Sequence, residues 1–471
     1  MLIQNLRIRN FRCFKDFGIE FGKKSTVIFG KNGSGKTTLI HALHKALSFI
    51  MFSDKTYESV KVGNKRKRKI VDIRTIANNN PYLKVEGFNR VGDYNNHEDH
   101  TIDIEATASL DSNKNLHWSM SAFATNNRIR PSEFIEAFRE FYFWHNETGN
   151  LPVLAYYSDC FPHREDTKKS TNIQKVEKLR NFGYFDWNAI EGCSKIWILR
   201  LESDLFNIRQ NKDKLNKLEN AEKDQNDNSN SKLIESIEQN ITRWQLEVDA
   251  IEKCLIAFTK DLLLSDEDVI EIGAIDIHSE EGRLCINTTS GKEISFVNLP
   301  SGYKRLLNIV LDLAFRSYIL SDKQTTNSSG IAIIDEIDLH LHPELENVVL
   351  DRFMKVFPNI QFIVSTHSIN VLTSVKTVDG LSKVLMMSPN ADAPTYFNDI
   401  YGIGASSGQQ EIMGVKINDE DLKRYISQCA FMYQHGLTEQ ANRLKDFIIK
   451  KKLISQVNLE CRIRHNIDQI S

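Results

Sequence analysis

The chain has 471 residues, which suggests two to four structural units. Apolar residues make up 41% and charged residues 26%, the balance of an ordinary globular protein, and a formal net charge of −2 excludes a polycation. Seven scattered cysteines without a CxxC pair read as free thiols in a reducing cytoplasm, and no apolar run spans a bilayer: the best one, residues 306–315, is broken by Asn308 and Asp312.

Leu2, Leu6, Ile8, Phe11, Phe14, Ile19 and Phe21 recur with strand-like alternation, with no apolar signal-peptide core. A buried strand over residues 25–29 comes next. A glycine-rich turn follows, and then Ile40, Leu43, Leu47 and Ile50 at helical spacing. Residues 53–122 are polar with β-type patches and read as an antiparallel arm. Inside it Lys65, Arg66, Lys67, Arg68 and Lys69 form the one dense basic run. That run is either a phosphate-backbone contact for DNA or RNA, or a solvated loop. Residues 132–145 read as a short helix and 151–157 as a buried strand.

Leu201, Leu205, Ile208, Leu215 and Leu218 make one apolar stripe. Ile234, Ile237, Ile241, Trp244, Val248, Ile251 and Leu255 make a heptad seam, and the polar residues 220–231 lie between them. The pattern reads as an antiparallel helical hairpin inserted into an α/β domain, or as two amphipathic helices packed on a core. Strands resume at 269–278, 283–288, 293–297, 331–334 and 362–364. The tail from residue 398 is helical: Leu422, Tyr425, Ile426 and Cys429 share one face, and Ala441, Leu444, Phe447 and Ile448 another, with Gly436 between them.

Gly30, Lys31, Asn32, Gly33, Ser34, Gly35, Lys36 and Thr37 match GxxxxGK[ST] between a strand and a helix. Glycines let backbone N–H groups turn inward around phosphates, and the helix dipole adds positive potential. Lys36 is expected at the β- and γ-phosphates, Thr37 on Mg²⁺, and Thr38 beside them. Residues 331–336 form an apolar strand ending in Asp335, suited to Mg²⁺, and Glu336, suited to activating water. Ser301 and Gly302 open a helix as an N-cap-like pair. His367 ends the strand at 363–365. His340 and His342 precede Pro343 at a helix start, which makes a metal pair there a poor reading.

Taken in order, these pieces resemble the ABC ATPases of the SMC, RecF and OLD group. Residues 6–14 are similar to that group's first strand, which puts Arg12 among the nucleotide contacts. Residues 30–37 resemble the Walker A motif, 299–305 with Ser301 and Gly302 the signature, 331–336 the Walker B, Asp338 the D-loop, and His367 the switch histidine. The resemblance implies an α/β ABC-type P-loop ATPase head carrying a β arm, a short inserted coiled-coil hairpin and a helical C-terminal tail. The divisions expected are 1–195, 196–262, 263–397 and 398–471. It implies ATP and Mg²⁺ as cofactors, Glu336 and His367 as catalytic residues, and a homodimer or higher oligomer in which Ser301 of one protomer caps the γ-phosphate held by the other.

Three features depart from the pattern. No Gln lies between residue 37 and residue 172, so the Q-loop glutamine is missing, and residues 157–159 are the candidates to stand in for it. The hairpin is far too short for a chromosome-scale arm. No Toprim-like acidic pattern follows His367. Residues 401–405, 411–415 and 436–441 make the tail similar to PtuA-like ATPases of Septu anti-phage systems, including those attached to retrons. That family implies an HNH nuclease partner, PtuB, restrained or released by an ATP-responsive scaffold. DNA, or a retron reverse transcriptase with its msDNA, is a further implied partner. The alternative is a RecF-like repair ATPase acting on DNA without a nuclease. A membrane transporter subunit is disfavoured, because such heads lack a heptad hairpin.

Overall fold

A computed structural model describes residues 1–62, 65–78, 80, 83–88, 93, 101–111, 114–123, 129–159, 178–187, 194–225, 231–260, 270–278, 282–377, 380–389, 391–397, 400–401, 419–450 and 463. Side chains at 59–68, 123, 194, 219, 221–225, 231, 419–423 and 450 lie outside the description. The chain divides into two units, residues 1–402 and 403–471. In the first, β1 (Leu2–Phe11), β2 (Phe14–Glu20) and β3 (Ser25–Gly30) lead into α1 (Lys36–Leu47). Next come β4 (Ser53–Val62), β5 (Lys65–Thr75), β6 (Thr101–Ser109), β7 (Asn115–Phe123), α2 (Ile135–Thr148) and β8 (Val153–Tyr157). Two long helices, α3 (Ser194–Gln225) and α4 (Ser231–Thr259), precede a small sheet of β9 (Ile272–Ile277), β10 (Leu284–Thr288) and β11 (Glu293–Ser295). Then come α5 (Ser301–Leu320), β12 (Gly330–Ile334), α6 (Pro343–Glu346), α7 (Val349–Val356), β13 (Ile360–Ser365), α8 (Ile369–Thr373), β14 (Ser382–Met387) and β15 (Thr395–Phe397).

The core is a six-stranded sheet in the order β15-β14-β3-β13-β12-β8. All its pairings are parallel except that of β15 with β14. Strands β8, β12 and β13 are buried at every position, which is why they read as near-continuous apolar runs rather than alternations; the polar Gln361 and Ser365 of β13 are buried with hydrogen-bond partners. Each fully buried Val, Leu or Ile in such a strand contributes about 1.5–3 kcal/mol. The loops after β3, β8, β12 and β13 leave the carboxyl edge of this sheet together, where open α/β sheets place their ligand sites.

The arm expected over residues 53–122 is split between two sheets. β4 and β5 form a separate two-stranded ribbon. β6 and β7 join β1 and β2 in an antiparallel sheet of order β2-β1-β6-β7. The alternation of β6 buries Ile102, Ile104, Ala106 and Ala108 on one face. Period-two patterning is common to a free arm and a half-buried sheet, so the sequence does not separate the two. Trp118 of β7 ties this sheet to α1, donating its indole N–H to the Ala46 carbonyl at 2.9 Å.

The long helices pack against each other as a hairpin whose base rests on α5. Arg200 of α3 makes two hydrogen bonds to the Glu247 carboxylate of α4, and Trp197 stacks on Phe315 of α5 with centroids 5.0 Å apart. Helix α5 is buried nearly all round, and its ionic side chains are satisfied internally. Asp312 accepts from the Trp197 indole at 2.5 Å, the Tyr157 hydroxyl at 2.6 Å and the Arg316 guanidinium at 2.6 Å. Among the described residues no helix is long and apolar enough to cross a membrane.

The second unit holds α9 (Asp419–Gln434) and α10 (Thr438–Lys450). Gly436, at φ 73°, ends the first of them in the left-handed conformation that glycine favours. Tyr425, Ile426, Cys429, Ala430 and Ile448 bury against one another. The two stripes therefore satisfy each other inside this unit, and their apolarity alone does not call for a partner.

Candidate active site

The glycine-rich loop joins β3 to α1. Gly35 caps α1 at φ 96°, and a Cβ there would stand 2.8 Å from the Phe14 ring, so both the backbone angle and the close approach require glycine. The Lys36 ammonium donates to the Gly30 carbonyl at 2.7 Å and lies back over the loop. The Ser34 hydroxyl is buried without a hydrogen-bond partner among the described residues. No acidic residue offsets the positive end of α1. An unsatisfied buried donor, an ammonium and a helix N-terminus converging on one loop fit a polyphosphate.

Asp335 and Glu336 leave the end of β12 opposite that loop. The Ser365 hydroxyl donates to an Asp335 carboxylate oxygen, and its own oxygen accepts from the Glu336 N–H at 2.8 Å. Burial pushes the Asp335 carboxyl above its ordinary range, the Ser365 bond opposes this, and the nearby Asp159 carboxylate adds to it. Burial lowers the Lys36 ammonium, against the attraction of Asp335, Glu336 and Asp338. The fold thus places the Asp335, Glu336 and Asp338 carboxylates near enough to the Lys36 ammonium to act on its charge. Glu336 has φ 50°, uncommon for a non-glycine residue and a sharp turn out of the strand. Thr37 and Asp335 offer the hard oxygen donors that would hold Mg²⁺. When bound, that ion would neutralise charge on the phosphate oxygens.

Arg305 of α5 organises the surrounding backbone. Its buried guanidinium donates to the Glu336 carbonyl at 2.6 Å, the Asp335 carbonyl at 2.7 Å and the Ser158 carbonyl at 3.3 Å. Helix α5 thus holds the turn that carries the two carboxylates and the end of β8, where residues 157–159 stand beside Asp335. Asp338 accepts from the Thr366 hydroxyl at 2.5 Å and from the His367 N–H at 3.3 Å. Gly302 packs so closely that a Cβ would meet the His340 carbonyl oxygen at 2.5 Å.

Other candidates sit differently. Ser301 is exposed and is the first helical residue; Pro300, with its extended ψ of 144°, takes the N-cap place read for Ser301. Arg12 pairs with the fully buried Asp93 at 3.0 Å. Gly30 is half-buried, while Asn32, Gly33, Thr37 and His367 are exposed. His342 caps α6 through its ring nitrogen. Lys65 to Lys69 lie on β5, in the separate ribbon. The roles of Arg305, Ser365 and Thr366 were not read from the sequence. Arg305 closes the segment 299–305, but its bonds to main-chain carbonyls leave no residue-type signal; Ser365 and Thr366 donate to the Asp335 and Asp338 carboxylates, partners 30 and 28 residues away that only the fold brings together.

The AAA ATPase domain family matches this chain over residues 1–372. The chain belongs to that family. The ATPase is 28% identical over 409 residues to the Retron Vc95 probable ATPase of Vibrio cholerae serotype O1 biovar El Tor, covering 79% of this chain and 71% of that protein. It is 23% identical to the Retron Ec83 probable ATPase of Escherichia coli, covering 79% and 70%. The Septu protein PtuA of Bacillus thuringiensis matches at 25% identity over 35% of the ATPase and 42% of its own length. Among solved structures, the SMC head domain from Thermotoga maritima aligns over 84% of the ATPase and 100% of its own chain, at 12% identity and a TM-score of 0.39.

Proposed function

We infer that this ATPase drives a retron- or Septu-type anti-phage system, in which its nucleotide state controls a partner HNH nuclease. The likeness to the Retron Vc95 probable ATPase across most of both chains carries the reading. In it, Lys36 and the loop hold the phosphates, Asp335 and Thr37 hold Mg²⁺, and Glu336 takes a proton from the attacking water. Two protomers close head to head, and Ser301, exposed at the start of α5, caps the γ-phosphate of the partner protomer. Asp338 links this D-loop to His367 within one chain.

The test is to purify the chain alone and together with the product of its neighbouring gene. Co-purification of an HNH nuclease whose DNA cleavage differs between the wild-type ATPase and Glu336→Gln supports the reading. DNA cleavage by the isolated chain in Mg²⁺ or Mn²⁺, retained in Lys36→Ala, overturns it. DNA-stimulated ATP turnover without any nuclease partner favours the RecF-like alternative.

A further inference from the structure

The ribbon of β4 and β5 is chemically unlike the rest of the chain. Residues 53–75 carry eight Lys or Arg against three Asp or Glu, within a protein of net charge −2. Two of those three acids are already engaged. Asp54 binds Arg139 of α2 at 2.9 Å, and Asp72 binds Arg74 at 3.3 Å. Each strand holds ten or eleven residues, which gives a ribbon about 30 Å long. Residues 65 to 69 occupy the first five positions of β5, paired with positions 62 to 58 of β4. The positive charge therefore concentrates in the half of the ribbon farthest from the Asp54–Arg139 anchor.

Next to this charge the ribbon exposes apolar side chains. Tyr57 is 51% exposed and pairs across the strands with Ile70, 42% exposed; Ile73, 46% exposed, follows on β5. Such a cross-strand aromatic–aliphatic pair, left exposed beside a third apolar residue, forms a local apolar patch of the kind that marks an interaction surface. Two ribbons of this charge repel, which disfavours a second copy as the cover. The combination needed is a polyanion that also offers flat apolar faces.

We propose that the β4–β5 ribbon binds single-stranded nucleic acid, with Lys65 to Lys69 on the phosphates and Tyr57 as the stacking platform for an unpaired base. A duplex offers phosphates and groove edges but keeps its base faces stacked inside, so it leaves Tyr57 and Ile70 uncovered. A single strand satisfies both halves of the surface. The site is separate from the nucleotide loop and does not depend on the nuclease reading.

The experiment uses the full chain, with fluorescein-labelled oligothymidylate, oligouridylate and a blunt DNA duplex of equal length as probes. Anisotropy is followed between about 50 and 200 mM salt. Both single strands should bind more tightly than the duplex, and the tighter of the two identifies DNA or RNA as the better ligand. Tyr57→Ala should weaken single-strand binding about 5- to 150-fold without changing the salt slope. Replacing Lys65, Lys67 and Lys69 together by Ser should flatten the log–log slope by about 2. Both variants should keep ATP affinity and melting temperature. Equal affinity for duplex and single strand with Tyr57→Ala silent overturns the proposal, as does a salt slope unmoved by the lysine changes. Displacement of oligothymidylate by polyglutamate at equal charge concentration also overturns it, in favour of an acidic protein partner.

Discussion

The Tyr157 hydroxyl donates to the Asp312 carboxylate at 2.6 Å, joining the last residue of β8 to the middle of α5. The Tyr157 carbonyl in turn accepts from the Asp335 N–H at 2.8 Å, so one residue touches both the helix and the turn that carries Asp335 and Glu336. Asp312 also holds Arg316 and the Trp197 indole, all buried. Replacing Asp312 by Ala takes the acceptor from the buried Tyr157 and Trp197 donors and the carboxylate partner from the buried Arg316 guanidinium, which keeps the Gly183 and Phe185 carbonyls, and should cost about 3–5 kcal/mol. Tyr157→Phe removes one hydrogen bond and should cost about 0.5–1.5 kcal/mol. Urea midpoints of the two variants against wild type check the ranking.

Lys36 and Glu336 should separate binding from turnover. Lys36→Ala removes the ammonium from the loop, and isothermal titration should show ATP binding lost. Glu336→Gln keeps the shape of the site and removes the proton acceptor, so ATP should still bind while turnover falls about 10²- to 10⁴-fold. Phosphate release measured beside titration distinguishes the two; a Glu336→Gln protein with wild-type turnover rejects the assignment.

Gly302 faces a backbone atom rather than a flexible side chain. A methyl group there meets the His340 carbonyl oxygen at 2.5 Å, and His340 already sits at φ 64°. Gly302→Ala should therefore shift the segment that carries Asp338. Turnover should drop by as much as about 10²-fold while ATP affinity changes little. An affinity loss as large as the rate loss would place Gly302 in ground-state binding instead.

A pH-dependent strain lies at the hairpin base. Burial first, and the Glu247 carboxylate second, push the Asp204 carboxyl up to about 7, while Arg200 opposes them. The folded value lies above the ordinary carboxylate value, so between pH ~4 and ~7 the folded chain binds a proton that the unfolded chain has released. The stability contributed by that proton is complete at low pH and is lost as pH rises through 7. Asp204→Asn removes the titration. Its melting temperature relative to wild type should rise from pH 5 to pH 8; a difference independent of pH would remove Asp204 as the source.

The strand–loop–helix setting of residues 30–37 was legible because a glycine-rich run sits between an apolar strand and a segment of helical spacing, and the run does join β3 to α1. The hairpin was legible because Ile237, Val248, Ile251 and Leu255 repeat with helical period and are buried as that period requires. Tertiary pairing was not legible. The alternation in β6 is the same whether its neighbour is β5 or β1, and only the fold decides. Asp312 reads in the sequence as a polar interruption of an apolar helix, although in the structure three donors from three elements converge on it. The tail stripes were visible, but the sequence does not say that they face each other.

The central strand has a consequence for how the protein is made. β3 carries the phosphate loop and lies between β13 and β14. Ile360 of β13 is added to the chain 330 residues after Gly30. At a synthesis rate of about 5–20 residues per second, β3 waits roughly 15–65 s at the ribosome with both hydrogen-bonding edges open. Such long-range parallel pairing is slow in its own right and leaves an aggregation-prone strand exposed until it forms. A chain that terminates before residue 360 lacks both flanking strands and cannot assemble the loop. The central sheet is therefore completed only late in translation, after β13 and β14 have been made.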